Sequence, residues 1–183
     1  FRKPHYKIGN IFYKQERLTQ AFMAFNMYLL LDPNGEDTFT AIKDINNKFS
    51  LLNAISKNDE IQLLDADENY KEIDSILKTK QAIKLSYQAN NDIDLALVKQ
   101  NHIMLHKLKD LKETDGFWNK KYLPFYKWII ANNHFNDFIC TLLFSTQNQK
   151  HKEVIANNND KIVAFIDAYK TKWLSIVSKN IVE

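Results

Sequence analysis

An all-α fold is predicted by three features of this sequence. Glycine and proline number only three each in 183 residues, too few for the many tight turns of a β-sandwich or barrel. Hydrophobic residues make up 45% of the chain and aromatics 13%, so a substantial core is expected and disorder is not. Those apolar residues recur at helical rather than alternating spacing over most of the chain. The last stripe is the cleanest: Ile162, Phe165, Ile166, Tyr169, Trp173, Ile176 and Val177 fall on one face of a single helix.

Residues 1–33 divide into two helices. Ile8, Gly9 and Phe12 mark the first, Gln15-Glu16-Arg17 is a polar turn, and Leu18, Ala21, Phe22, Phe25 and Leu29 mark the second. Gly9 has no side chain, so a neighbouring helix can approach there, and Ala21 is small enough to sit close. Pro33 cannot continue a helix and biases Asp32 away from helical geometry, so the second helix stops.

This order of small, aromatic and proline positions resembles a tetratricopeptide repeat, whose period is about 34 residues. The resemblance implies a right-handed α-α superhelix in which the first helix of each pair lines a concave groove for a partner segment. Carried over position by position, the groove residues are Lys3, Tyr6, Asn10, Tyr13 and Lys14. Asn10 matches the asparagine with which chaperone-adaptor repeats hold a peptide's terminal carboxylate. Those adaptors place a lysine four residues earlier, where this chain has Tyr6, and that departure counts against a carboxylate clamp. Tyrosines and lysines in a groove suit an amphipathic or acidic peptide; the bland alternative is a row of ordinary exposed helix positions. Alanine at Tyr6, Asn10 and Tyr13 is then expected to weaken partner capture and leave thermal stability nearly unchanged. A lone helix pair cannot bury its own face, so it must dock on further repeats upstream or on the helices after Pro33.

The segment 34–113 reads as a helical continuation. A turn at 34–37 precedes a helix over 38–49 carrying Phe39, Ile42, Ile45 and Phe49. Residues 50–69 suggest a partly irregular connector. A further helix is expected over 70–88 with Tyr70, Ile73, Ile76, Leu77 and Tyr87, although the Ile83, Leu85, Tyr87 alternation also suits a short strand. Asn90-Asn91-Asp92 is a break and a cap for a helix over 93–111. Ile83, Tyr87 and Ala96 fall where the first repeat has Ile8, Phe12 and Ala21, so 70–112 is a candidate degenerate repeat.

The segment 114–183 is an aromatic-rich helical domain. Asp115 is a candidate cap for a helix carrying Phe117, Trp118, Tyr122, Phe125, Tyr126 and Ile129, with a kink or fresh start at Pro124. Asn132-Asn133-His134 breaks the chain before a helix over 135–144, and the asparagines at 157–159 with Asp160 cap the last one. The aromatics at this spacing read as core more readily than as a base-stacking platform.

Chemistry is sparsely signalled. His102 and His106 lie four apart and could share a metal, but no glutamate follows the first and both are expected to face water, opposite the apolar Met104. His134 and Asp137 could form an acid–base pair, with no activated nucleophile beside them. Cys140 lies in an apolar run and reads as a small core residue. With three glycines in all, a glycine-rich phosphate cradle is excluded. The net charge is +3, from 25 basic and 22 acidic residues intermixed, which describes solvated faces rather than a phosphate track. No apolar run approaches the ~20 residues that span a bilayer. The chain opens on Phe rather than Met, which suggests an upstream leader, tether or further repeats. Its Asn- and Lys-rich composition suggests a bacterial source and, with it, an exported or periplasmic location. The expectation is a non-enzymatic interaction or scaffold module for a protein or peptide partner, without cofactor, metal or nucleic acid. The rivals are an enzyme using His134 and Asp137 or the His102/His106 pair, and an RNA-binding helical repeat.

Overall fold

The computed structural model describes residues 1–50, 68–79, 84 and 86–178, and these are helical with no strand. In chain order the α-helices are α1 (Lys3–Lys14), α2 (Leu18–Leu31), α3 (Thr38–Ser50), α4 (Lys71–Lys78), α5 (Ala96–Asp110), α6 (Phe117–Lys121), α7 (Leu123–Ala131), α8 (Phe135–Leu142), α9 (Gln149–Asn157) and α10 (Asn159–Ser178). The predicted all-α class is therefore the observed one. No helix among the described residues is long and apolar enough to cross a membrane.

Pro4 sits in the first turn of α1, where a missing N–H costs nothing. Glu16, at φ 60°, turns the chain back after α1 while the Arg17 amide donates to the Phe12 carbonyl at 3.0 Å. Gly9 is where α1 meets α2: a Cβ there would lie 2.6 Å from the Phe25 ring. The close approach expected of that glycine is real.

α2 is the axis of the molecule, buried at every position from 18 to 30. It packs against α1, α3, α4 and α8. From further along the chain, Tyr126 of α7 and Tyr169 of α10 each donate a 2.5 Å hydrogen bond to its Met23 and Leu30 carbonyls. Two of its polar residues, Thr19 and Asn26, find partners in the interior, while the buried Gln20 carbonyl has none among the described residues. Asn26 and Asn101 of α5 exchange amide hydrogen bonds at 2.6 and 3.2 Å. Asp74 of α4 accepts from the Thr19 amide and hydroxyl at 2.7 and 2.5 Å. That carboxylate caps α2 from another helix, since α2 has no side-chain cap of its own. Units of a stacked array touch only their neighbours, whereas α2 touches helices drawn from the whole chain. One hydrophobic cluster runs from Phe12 to Ile176 and includes parts of 1–33, 34–113 and 114–183.

Of the C-terminal aromatics, Phe117 is exposed, whereas Trp118, Tyr122, Phe125 and Tyr126 are core, as their spacing suggests. They also receive α1, through a Phe12–Trp118 edge contact at 4.8 Å and His5 against Tyr122 and Trp173. The first helix pair thus docks on helices that follow Pro33. Pro124 opens α7, and α2 ends at Asp32 before Pro33.

Several boundaries differ from expectation. α4 stops at Lys78 and Tyr87 lies outside any helix; Ile83 and Leu85, on which the strand alternative and the second-repeat match turned, lie outside the described residues, as does most of 50–69. α5 starts at Ala96 rather than at 93. Asn91 closes a local turn on the Ile93 amide, and the helix start is instead held by Asn46 of α3, which accepts from the Leu97 amide at 3.0 Å. Asp115 does not cap α6. Gly116 takes that place at φ 116°, a conformation that favours glycine, and Asp115 pairs with Lys120 at 3.1 Å. α9 is an addition, capped by Asn148, which accepts from the His151 amide.

Candidate functional site

α1 and α3 run along the two sides of a groove of about 610 Å³, lined by Lys3, Tyr6, Lys7 and Tyr28 on one side and Asp37, Thr40, Ala41 and Asp44 on the other. The groove has this shape because Arg2 ties three helix ends together. Its guanidinium donates to the Thr38 hydroxyl at 3.0 Å, pairs with Asp32 at 3.2 Å and Asp37 at 3.7 Å, and lies 5.1 Å from the Tyr28 ring centroid. The floor is aromatic, with Tyr6 4.9 Å from Tyr28 and 5.7 Å from Phe25.

Of the five residues the sequence points to, Lys3 and Tyr6 line this groove and Lys3 and Lys14 are exposed. Tyr6 donates to Asp44 at 2.5 Å and Tyr13 to the Lys48 carbonyl at 3.2 Å, so both hydroxyls pin α1 to α3. Asn10 turns its amide back to the Tyr6 carbonyl of its own helix at 2.9 Å. One of the two donor hydrogens of that amide is thereby engaged within α1. Tyr6, Asn10 and Tyr13 are half-buried, so replacing them with alanine removes packing as well as surface, contrary to the expected neutrality for stability.

Electrostatics sorts the remaining groups. Burial alone would raise the Asp44 carboxyl, but hydrogen bonds from Lys48 and Tyr6 outweigh it and hold it below the usual carboxylate range. Burial pushes the Tyr6 phenol well above its ordinary value, with the Asp44 contact adding to it. Asp44 is thus neutralised by Lys48 at 2.5 Å, while Asp37 shares Arg2 with Asp32. Lys3 and Lys7 make no hydrogen bond or ion pair among the described residues.

Lys7, Tyr28, Asp37, Thr40, Ala41 and Asp44 were not singled out in the sequence. A signal exists for some of them: Lys7 is one turn beyond Lys3, and Asp37, Ala41 and Asp44 recur at helical spacing beside the Ile42, Ile45, Phe49 stripe.

The other sequence candidates fall elsewhere. His134 and Asp137 do meet, at 3.2 Å, at the start of α8, with the imidazole between the Trp128 and Phe165 rings at 5.0 and 5.4 Å. The nearby Cys140 is buried, and burial pushes its thiol up to about 11, which leaves it a poor nucleophile. His106 is exposed as expected, but His102 is not simply in water. It is half-buried, its Nδ1 lies 2.6 Å from the Tyr87 hydroxyl, and its ring meets Phe135 edge-on at 5.0 Å. Among the described residues no three His, Cys, Asp or Glu side chains converge as a metal site would require.

No family model matches this chain, and neither a curated protein nor a solved structure shows significant similarity to it. The functional reading therefore stands on the geometry of the groove and on its charge.

Proposed function

We propose that this chain is a non-enzymatic interaction module whose first helical hairpin, a tetratricopeptide-like unit, takes an acidic amphipathic peptide in the groove between α1 and α3. The charge balance of the groove carries the reading. Asp44 is compensated by Lys48 and Asp37 shares Arg2 with Asp32, while Lys3 and Lys7 stand on the opposite wall without a counter-charge among the described residues. A peptide carrying Asp or Glu along one edge supplies that charge, and apolar side chains on its other edge cover Tyr28 and Ala41. Such complementarity governs partner choice and encounter rate more than raw affinity.

Selection from a random peptide display library tests this reading. Recovered peptides should combine acidic and apolar residues, and the Lys3→Glu/Lys7→Glu variant should bind them about tenfold more weakly with an unchanged melting temperature. Recovery of basic peptides, of no peptide, or of peptides indifferent to that double change would contradict it.

A further inference from the structure

A second cavity, of about 390 Å³, opens between α5, α7 and α8 and shares no lining residue with the groove. We propose that it binds a small organic anion, its acid group held by His102, His106 and Lys109 and its apolar body lying against Phe135 and Ile130. The volume lies in the ordinary range for small-molecule sites; six of the nine lining residues are polar or charged, and Phe135 and Ile130 supply an apolar wall.

The charge pattern selects an anion. His102, His106 and Lys109 succeed one another at helical spacing on α5, and no Asp or Glu lines the cavity. The Lys109 ammonium and the imidazole N–H groups are donors suited to a carboxylate or phosphate. His106 and Lys109 make no hydrogen bond or ion pair among the described residues, whereas Lys107, on the same helix, reaches Glu72 at 4.0 Å. A transition metal is disfavoured by the Lys109 ammonium and by the missing third ligand among the described residues.

The hydrogen bond behind His102 supports the same choice. Burial pushes the Tyr87 pKa up, so the hydroxyl keeps its proton, and burial together with the neighbouring His106 holds His102 below its ordinary value. When the phenol donates to Nδ1 across 2.6 Å, the neutral imidazole carries its proton on Nε2 and is a donor there. Asn90 and Asn133, both with left-handed backbone at φ 48° and 58°, add side-chain amides to the rim. Asparagine tolerates that conformation better than most residues.

Imidazole NMR of the full chain tests the proposal, with phenyl phosphate, benzoate, inorganic phosphate and benzyl alcohol as probes. The two aromatic anions should shift His102 and His106 saturably while His5, His134 and His151 stay still, and whichever binds tighter identifies the acid group. Inorganic phosphate should bind more weakly for want of an apolar body, and benzyl alcohol should cause no shift. His106→Ala/Lys109→Ala, at exposed helix positions, should weaken the better probe by about tenfold and leave melting unchanged. The proposal is overturned if neither aromatic anion shifts His102 and His106 saturably or if all five histidines move alike. It is equally overturned if inorganic phosphate binds as well as phenyl phosphate, or if the double variant binds undiminished.

Discussion

The α1–α3 groove and the α5–α8 pocket are both concave, yet their polar groups are committed differently. In the groove, Tyr6, Asp37 and Asp44 are engaged with neighbours, as are Asn10 and Tyr13 outside its lining, and the two lysines of one wall have no ionic partner among the described residues. In the pocket, Tyr87 supports His102 from behind while His106 and Lys109 have no hydrogen-bonding or ionic partner among the described residues. The groove is thus built from groups that also hold the fold together, whereas the pocket's polar face adds little to it. A side chain that looks functional in a pattern can already be spent on structure.

Stability measurements test this contrast. The largest effect is expected at Gly9, beneath the groove. Gly9→Ala sets a Cβ 2.6 Å from the fully buried Phe25 ring and should destabilise by about 1–3 kcal/mol in chemical unfolding. Alanine in an open helix position would instead stabilise by roughly 0.5–1 kcal/mol, and that result would mean the helix crossing is loose. Tyr6→Phe should cost about 0.5–1.5 kcal/mol through the lost hydrogen bond to Asp44; no loss would return Tyr6 to the class of free surface groups.

A pH effect follows from His5, which anchors α1 to Tyr122 at 2.6 Å. Burial lowers its pKa from 6.5 to about 4, so the unfolded chain binds more protons between those values. The contribution of neutral His5 is complete above 6.5 and is lost as pH falls through the window. Melting temperature should therefore drop between pH 7 and pH 5 less in His5→Asn than in the parent chain, and equal drops would contradict the assignment. The smallest effect is expected for His106→Ala/Lys109→Ala, within about 0.5 kcal/mol of the parent. A larger loss would show that the pocket, like the groove, is structural.

Sequence spacing made the helices and their stops legible where the signal was local. Gly9, Phe12 and Ala21 mark a helix crossing, and Pro33 and Pro124 act on their own backbone, so no distant partner is needed to read them. The roles of Tyr6 and Tyr13 were not legible, because Asp44 and the Lys48 carbonyl lie 38 and 35 residues away. The complete burial of α2 was hidden by Thr19, Gln20 and Asn26, which look like surface until Asp74 and Asn101 meet two of them. α9 left no stripe to find, since Ile155 is its one buried residue. The pocket escaped for a related reason: Phe135 and Tyr87, which change the surroundings of His102, come from other segments.

We propose that Lys3 and Lys7 select an acidic partner while the rest of the groove holds the fold. Fluorescence anisotropy on a matched pair of labelled peptides tests it most directly: one acidic peptide recovered by selection, and its counterpart with lysine at each acidic position. The parent chain should bind the acidic peptide and not the basic one, and Lys3→Glu/Lys7→Glu should reverse that preference with its melting temperature unchanged. Equal affinity for both peptides, or a preference that survives the charge reversal, would contradict the account.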